Sequence, residues 1–282
     1  MDDQENAVFA DMPTKGTAND LCAYLVTLVS FTLVVFLSAC AVTQSQQEGP
    51  VQISPPVYSL YQEGALFQKN KDFDNALKKY HAALEQARLV QDELGIGITL
   101  ASIGLVHEAA KRFSNAYESN VEAVRYFRKL KNIAFERATL AASGRLLFFL
   151  GNHANAIEVF DEVLILDQKR FSQAAEEEKA QILSERGGLH FFRAGSLQNV
   201  GRLQDSVQEY RLAAADFLAV GNQRGAGQAF WSAADIALLN LKTPEVAVKL
   251  YADAAPLLQA AGQVSNALWA RLGLGEDRKS VV

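Results

Sequence analysis

The 282-residue sequence predicts an all-α solenoid of about five helix pairs followed by a partial C-terminal repeat. Three observations predict it. Gly64, Gly104 and Gly144 recur every 40 residues. Ala76, Ala116 and Ala156 recur with the same period, each twelve residues after its glycine. Turn residues punctuate the segments between them, as at Asn70-Lys71-Asp72 and Val200-Gly201-Arg202. A fixed period in this range marks stacked supersecondary units, none of which buries its apolar side alone.

The chain opens with a leader. Residues Leu21 to Gln47 carry no charged side chain, and the core LCAYLVTLVSFTLVVFL runs from Leu21 to Leu37. That core is short for a membrane span of about 20 residues, and the small-residue stretch Leu37-Ser38-Ala39-Cys40 follows at once. These four residues resemble the lipobox of bacterial lipoproteins. The resemblance implies cleavage before Cys40, lipidation of Cys40, and residence on the periplasmic face of the bacterial outer membrane, since Ala41 rather than Asp follows the cysteine. An uncleaved N-terminal anchor helix is the other reading. The region before the core is anionic, with Asp2, Asp3, Glu5, Asp11 and Asp20 against Lys15. A signal peptide wants the opposite sign there, so translation is expected to start at Met12.

Cysteine and charge agree with this division. Cys22 and Cys40 are the two cysteines; one leaves with the signal and the other carries lipid, so neither a disulfide nor a thiolate metal site is expected. Four of the five units of net negative charge belong to the leader, and the nearly neutral remainder lacks the basic footprint of a nucleic-acid binder. The domains expected are a signal peptide (1–39), the lipidated cysteine with a Gln-rich, Pro-Pro-terminated tether (40–56), the solenoid (57–276) and a non-native or disordered tail (277–282).

Within the solenoid five segments align. They are Gly64/Phe67/Ala76/Tyr80/Ala83, Gly104/His107/Ala116/Asn120/Ala123, Gly144/Leu147/Ala156/Phe160/Val163, Ala194/Leu197/Ser206/Tyr210/Ala213 and Trp231/Leu238/Ala247/Tyr251/Ala254. The pattern resembles the tetratricopeptide repeat (TPR), which implies two antiparallel helices per unit, small residues where they cross and an aromatic filling the gap to the next pair; Gly221-Asn222-Gln223-Arg224 looks like the longer-helix branch of that family. Between Ala156 and Ser206 the spacing grows to 50 residues, with the surplus near 167–179, expected as a lengthened helix or an added loop. Gly151 and Gly201 suit helix C-caps, and Pro244 suits a first helical turn after a Thr243 cap. Ala267 to Gly273 starts another first helix. Asp277 to Val282 then matches what a common sequencing-adaptor string encodes before its stop codon, so the natural chain is expected to continue.

Catalytic chemistry is not expected. His107-Glu108-Ala109-Ala110-Lys111 is half of a zinc-protease helix motif with Lys in place of the second His. His81, His153 and His190 fall in different repeats, and Glu176-Glu177-Glu178 reads as a solvated helix face. No metal or other cofactor is expected. Binding is the better prospect, because the first helices of TPR pairs line a concave face. By resemblance the ligand-facing positions are Tyr61, Gln68, Lys69, Glu108, Arg145, Phe191, Gln198, Asn199 and Asn240. The expected function is a membrane-anchored, non-catalytic scaffold that binds protein or peptide partners in the cell envelope, with no nucleic-acid partner. The alternatives are an accessory repeat region of a longer enzyme and a TPR regulator.

Overall fold

A computed structural model describes residues 52–263. The expectations for Cys40, the leader, most of the tether, the half-repeat after Ala267 and the tail lie outside the described residues. Ten α-helices follow one another without a strand among the described residues. They are α1 (Pro55–Lys69), α2 (Phe73–Leu89), α3 (Glu93–Ala109), α4 (Phe113–Lys129), α5 (Ile133–Phe149), α6 (His153–Gln173), α7 (Glu176–Asn199), α8 (Leu203–Ala219), α9 (Gln223–Asp235) and α10 (Pro244–Ala260). A π-helical turn, Ile236–Asn240, extends α9. The chain divides into two compact units, a first ending at Gly151 and a second beginning at Asn152. In the first, α1 through α5 each pack on the next; in the second, α6 through α10 do the same.

The 40-residue period arises from a 20-residue half-unit. Residues in the left-handed region recur every 20 positions at Lys71, Gln91, Lys111, Lys131 and Gly151, and again at Gly201 and Gly221. At most of these turns the next backbone N–H reaches five residues back, as Asp72 to the Phe67 carbonyl and Asn132 to the Phe127 carbonyl, both at 2.9 Å. That bond closes the helix end. The following helix then starts on a capping side chain: Asp72, Asp92, Asn132 and Asn222 accept from the backbone N–H groups of Asn75, Gly95, Phe135 and Gly225. Asp92 also accepts from the backbone N–H and hydroxyl of Ser54, at 2.7 and 2.9 Å, and so ties the start of α1 to the start of α3.

Lysine pays for the left-handed conformation that glycine adopts freely. Lys111 is one such residue, at φ 59°. Lys111→Gly is therefore expected to stabilise the first unit by about 0.5 kcal/mol, after the entropy glycine adds to the unfolded chain. A urea midpoint that falls instead would show that the lysine side chain holds the turn.

The small residues do what the crossing requires. A Cβ on Gly104 would lie 2.3 Å from Asn120 Oδ1 and 3.3 Å from the Ala116 carbonyl oxygen. Gly64 gives the same room to the ring of Tyr80, and Gly97 to that of Phe127. In the fourth pair Ser206 stands in the alanine slot; its fully buried hydroxyl donates to the Ala194 carbonyl at 2.7 Å. A buried polar group satisfied in this way is tolerated at the crossing.

The ten-residue slip is helix, not loop. Helix α6 has 21 residues and α7 has 24, against 17 for α2 to α5, and the two meet across Ala174-Ala175, both extended. The extension is braced by Arg170–Glu185 at 3.1 Å and by Phe171, whose ring lies under Lys179 and Arg186. A one-residue surplus follows: Lys242 comes 21 residues after Gly221. The π-helical turn absorbs that residue, and Thr243 satisfies the Ala237 carbonyl with its N–H at 2.8 Å and its hydroxyl at 3.1 Å.

Candidate functional site

In the first unit the first helices of three successive pairs, α1, α3 and α5, are linked through three of the expected site positions, Tyr61, Glu108 and Arg145. Tyr61 on α1 is half-buried, its ring 5.4 Å from that of Tyr80, and its hydroxyl accepts from Ser102 on α3 at 3.2 Å. Glu108 on α3 meets Arg145 on α5 at 3.7 Å. Burial pushes the Glu108 carboxyl above the usual range, and the Arg145 charge opposes that shift. The pair is thus a buried carboxylate whose proton affinity burial raises and one guanidinium only partly offsets. Gln68 is turned inward: it is buried, and its Oε1 accepts from the Tyr80 hydroxyl at 2.7 Å. Burial in turn holds the Tyr80 phenol far above its ordinary value. Lys69 is exposed at the end of α1.

The second unit places its expected positions differently. Phe191 is half-buried, edge-on to Tyr210 at 5.1 Å and to Phe192 at 6.4 Å. Gln198 and Asn199 are exposed at the end of α7, where Asn199 donates to the Gly195 carbonyl at 2.8 Å. Asn240 is exposed at the end of the π-helical turn. Phe191 therefore belongs to the packing of α7 on α8, while the three amides lie exposed at helix ends, Asn199 with its N–H engaged by its own helix.

Sequence reasoning did not find the charged ladder between α7 and its neighbours. Arg186, His190 and Arg193 lie at i, i+4 and i+7 on α7. Arg186 donates twice to Asp216, at 2.7 and 2.6 Å. His190 Nδ1 lies 2.7 Å from Glu209 and its Nε2 3.9 Å from Asp216. Arg193 bridges Glu209 on α8 and Asp161 on α6, each at 2.7 Å. Burial raises the Glu209 pKa, but the hydrogen bonds and charges of His190 and Arg193 outweigh it and hold the carboxyl below its ordinary range. The seven-residue spacing of Glu209 and Asp216, matched to that of Arg186 and Arg193, was the available signal.

Burial first, and the charges of Arg112 and His81 second, lower the His107 pKa below its ordinary value. Among the described residues no group of three or more His, Cys, Asp or Glu side chains converges as metal ligands would, and no helix is long and apolar enough to cross a membrane.

No protein-family model and no curated protein matches the sequence. Solved structures do. The apo form of RapI aligns with a TM-score of 0.62 at 13% identity, over 74% of this chain and 72% of that one. The fold is a TPR-like α-solenoid. A Rap protein complexed with competence and sporulation factor aligns with a TM-score of 0.48 at 14% identity, over 95% of this chain and 88% of that one.

Proposed function

We propose that the chain is a non-catalytic scaffold that docks protein or peptide partners of the bacterial cell envelope on its first helices. The observation that carries this reading is the linkage of α1, α3 and α5 through Tyr61–Ser102 and Glu108–Arg145. It joins an aromatic ring, two hydroxyls and a largely buried ion pair across three successive first helices. Amphipathic aromatics serve as anchors and polar groups orient a bound backbone, which suits an extended peptide or a partner helix. The address in this proposal is Cys40, lipidated and held on the periplasmic side of the outer membrane.

The test is capture from envelope extracts by the chain that starts at Ala41. A specific partner is expected, and Tyr61→Ala or Arg145→Ala should weaken its binding about tenfold, the scale of one anchor residue. Captures that stay empty, or a partner indifferent to both substitutions, would remove the docking face. For the address, a lipoprotein signal-peptidase inhibitor should shift the mass of the wild-type product and leave Cys40→Ala unchanged. Identical behaviour of the two would remove the anchor.

A further inference from the structure

We propose that the edge of the first unit at which α1, α3 and α5 end is a contact surface for anionic lipid headgroups. The docking of protein partners on the first helices does not depend on this edge.

Short turns join consecutive helices that pack on one another, so each helix runs back beside the one before it. The ends of α1, α3 and α5 therefore share one edge, and the ends of α2 and α4 share the other. The bond from Ser54 to Asp92, between the starts of α1 and α3, shows the same alternation at the second edge.

The two edges treat charge differently. Where α2 and α4 end, Arg88 pairs with Glu122 at 3.0 Å, Arg128 with Glu136 at 2.7 Å, and Lys129 with Glu93. Where α1 and α3 end, Lys69, Lys71 and Lys111 are exposed and make no ion pair among the described residues. The acids beside them are already engaged. Asp72 accepts from the backbone N–H and the side-chain amide of Asn75, and Asp74 lies 3.7 Å from Arg112. This edge thus keeps a row of unmatched positive charge, one repeat after the next.

The row favours a lipid surface over an acidic polypeptide. Leu66 at the end of α1 and Leu150 after α5 are 61 and 41% exposed on this same edge. Lysine beside exposed leucine suits the headgroup layer, where the ammonium meets phosphate and the apolar side chain reaches the acyl boundary. Leu89 and Val90 are exposed on the other edge too, but the neighbouring Arg88 is matched by an acid. Lysine is also a hydrated point charge on a flexible stem, which suits a diffuse anionic surface, whereas fixed bidentate pairing with a carboxylate is arginine chemistry. Lys71 and Lys111 both stand at φ 59°, a conformation that Gly151 takes without strain on the same edge. The turn imposes that conformation but does not require lysine, and a side chain kept under backbone strain points to a use for it.

The test is flotation of the chain that starts at Ala41, which holds every described residue and no lipid, with vesicles of equal parts phosphatidylglycerol and phosphatidylcholine. Binding is expected at low salt, with none to phosphatidylcholine alone and loss at high salt. Lys69→Gln, Lys71→Gln and Lys111→Gln should each weaken it about fivefold, and the three together about a hundredfold. Lys111→Gly, which is expected to stabilise the fold, should weaken binding as Lys111→Gln does. Lys131→Gln, the left-handed lysine of the other edge, should leave binding unchanged. Equal losses from Lys131→Gln and Lys111→Gln overturn the proposal, as does absence of binding in chains whose helix content is unchanged. It is also overturned if soluble poly-glutamate at matched ionic strength displaces the vesicles while Leu66→Ser leaves their binding intact, which would assign the row to an acidic polypeptide. Failed flotation leaves partner capture on the first helices untouched, and failed capture leaves flotation untouched.

Discussion

Arg193→Met is expected to lower the stability of the second unit by about 3 kcal/mol, the scale of an uncompensated buried charge. Arg193 is 17% exposed at its side chain and Glu209 11%, so their 2.7 Å contact is sheltered from solvent. The 2.7 Å bond to Asp161, whose side chain is 48% exposed, adds little by comparison. Methionine keeps the stem and removes the charge, which leaves Glu209 with His190 as its remaining close partner. Glu209→Gln placed on top should recover part of the loss, since an amide needs no counter-charge. The sign with pH follows from the depressed Glu209 pKa. The stability it contributes is fully present above the ordinary value of 4.5 and is lost as pH falls through the lower folded value. Arg193→Met raises that folded value, so the acid limb of the urea midpoint should begin at higher pH. An acid limb unmoved by the substitution would show that the ladder does not hold Glu209.

Much of this fold was legible because its determinants are local. Glycine and alanine at the crossings, Asp and Asn at helix starts and glycine at helix ends act within a few residues of themselves, so a 40-residue period exposes them. What stayed hidden needs partners distant in sequence. Nothing local in the sequence sets Arg186, His190 and Arg193 apart until α8 brings Glu209 and Asp216 against them. Gln68 reads as a ligand-facing amide until Tyr80, twelve residues on, takes its oxygen. The π-helical turn is written in the sequence as a single extra residue, which a loop, a bulge or a longer helix could equally absorb. The left-handed lysines were hidden for another reason. Their conformation follows from the geometry of the turn rather than from side-chain preference, and the helices on both sides hold them there at a cost of about 1 kcal/mol each.

Phe127→Ala is expected to cost the first unit about 3–5 kcal/mol, and Gly97→Ala is expected to change sign in its presence. Phe127 is fully buried, its ring stacked on Phe135 with centroids 5.1 Å apart. Gly97 on α3 gives that ring its space: a Cβ there would stand 2.8 Å from Phe127 Cε1. In the wild-type chain Gly97→Ala therefore forces an aromatic out of place in a close-packed core, which outweighs the better helix propensity of alanine. Once the ring is gone the clash is gone with it. The added methyl then lies in the cavity, and alanine contributes its propensity advantage of about 1 kcal/mol within a helix. The double mutant should be more stable than Phe127→Ala alone, by urea unfolding followed through helix content. Additive losses would mean that the glycine is required by the backbone of α3 and not by the ring packed against it. The same cycle distinguishes a repeat whose crossing positions are set by the size of the facing side chain from one whose helices approach closely for their own sake.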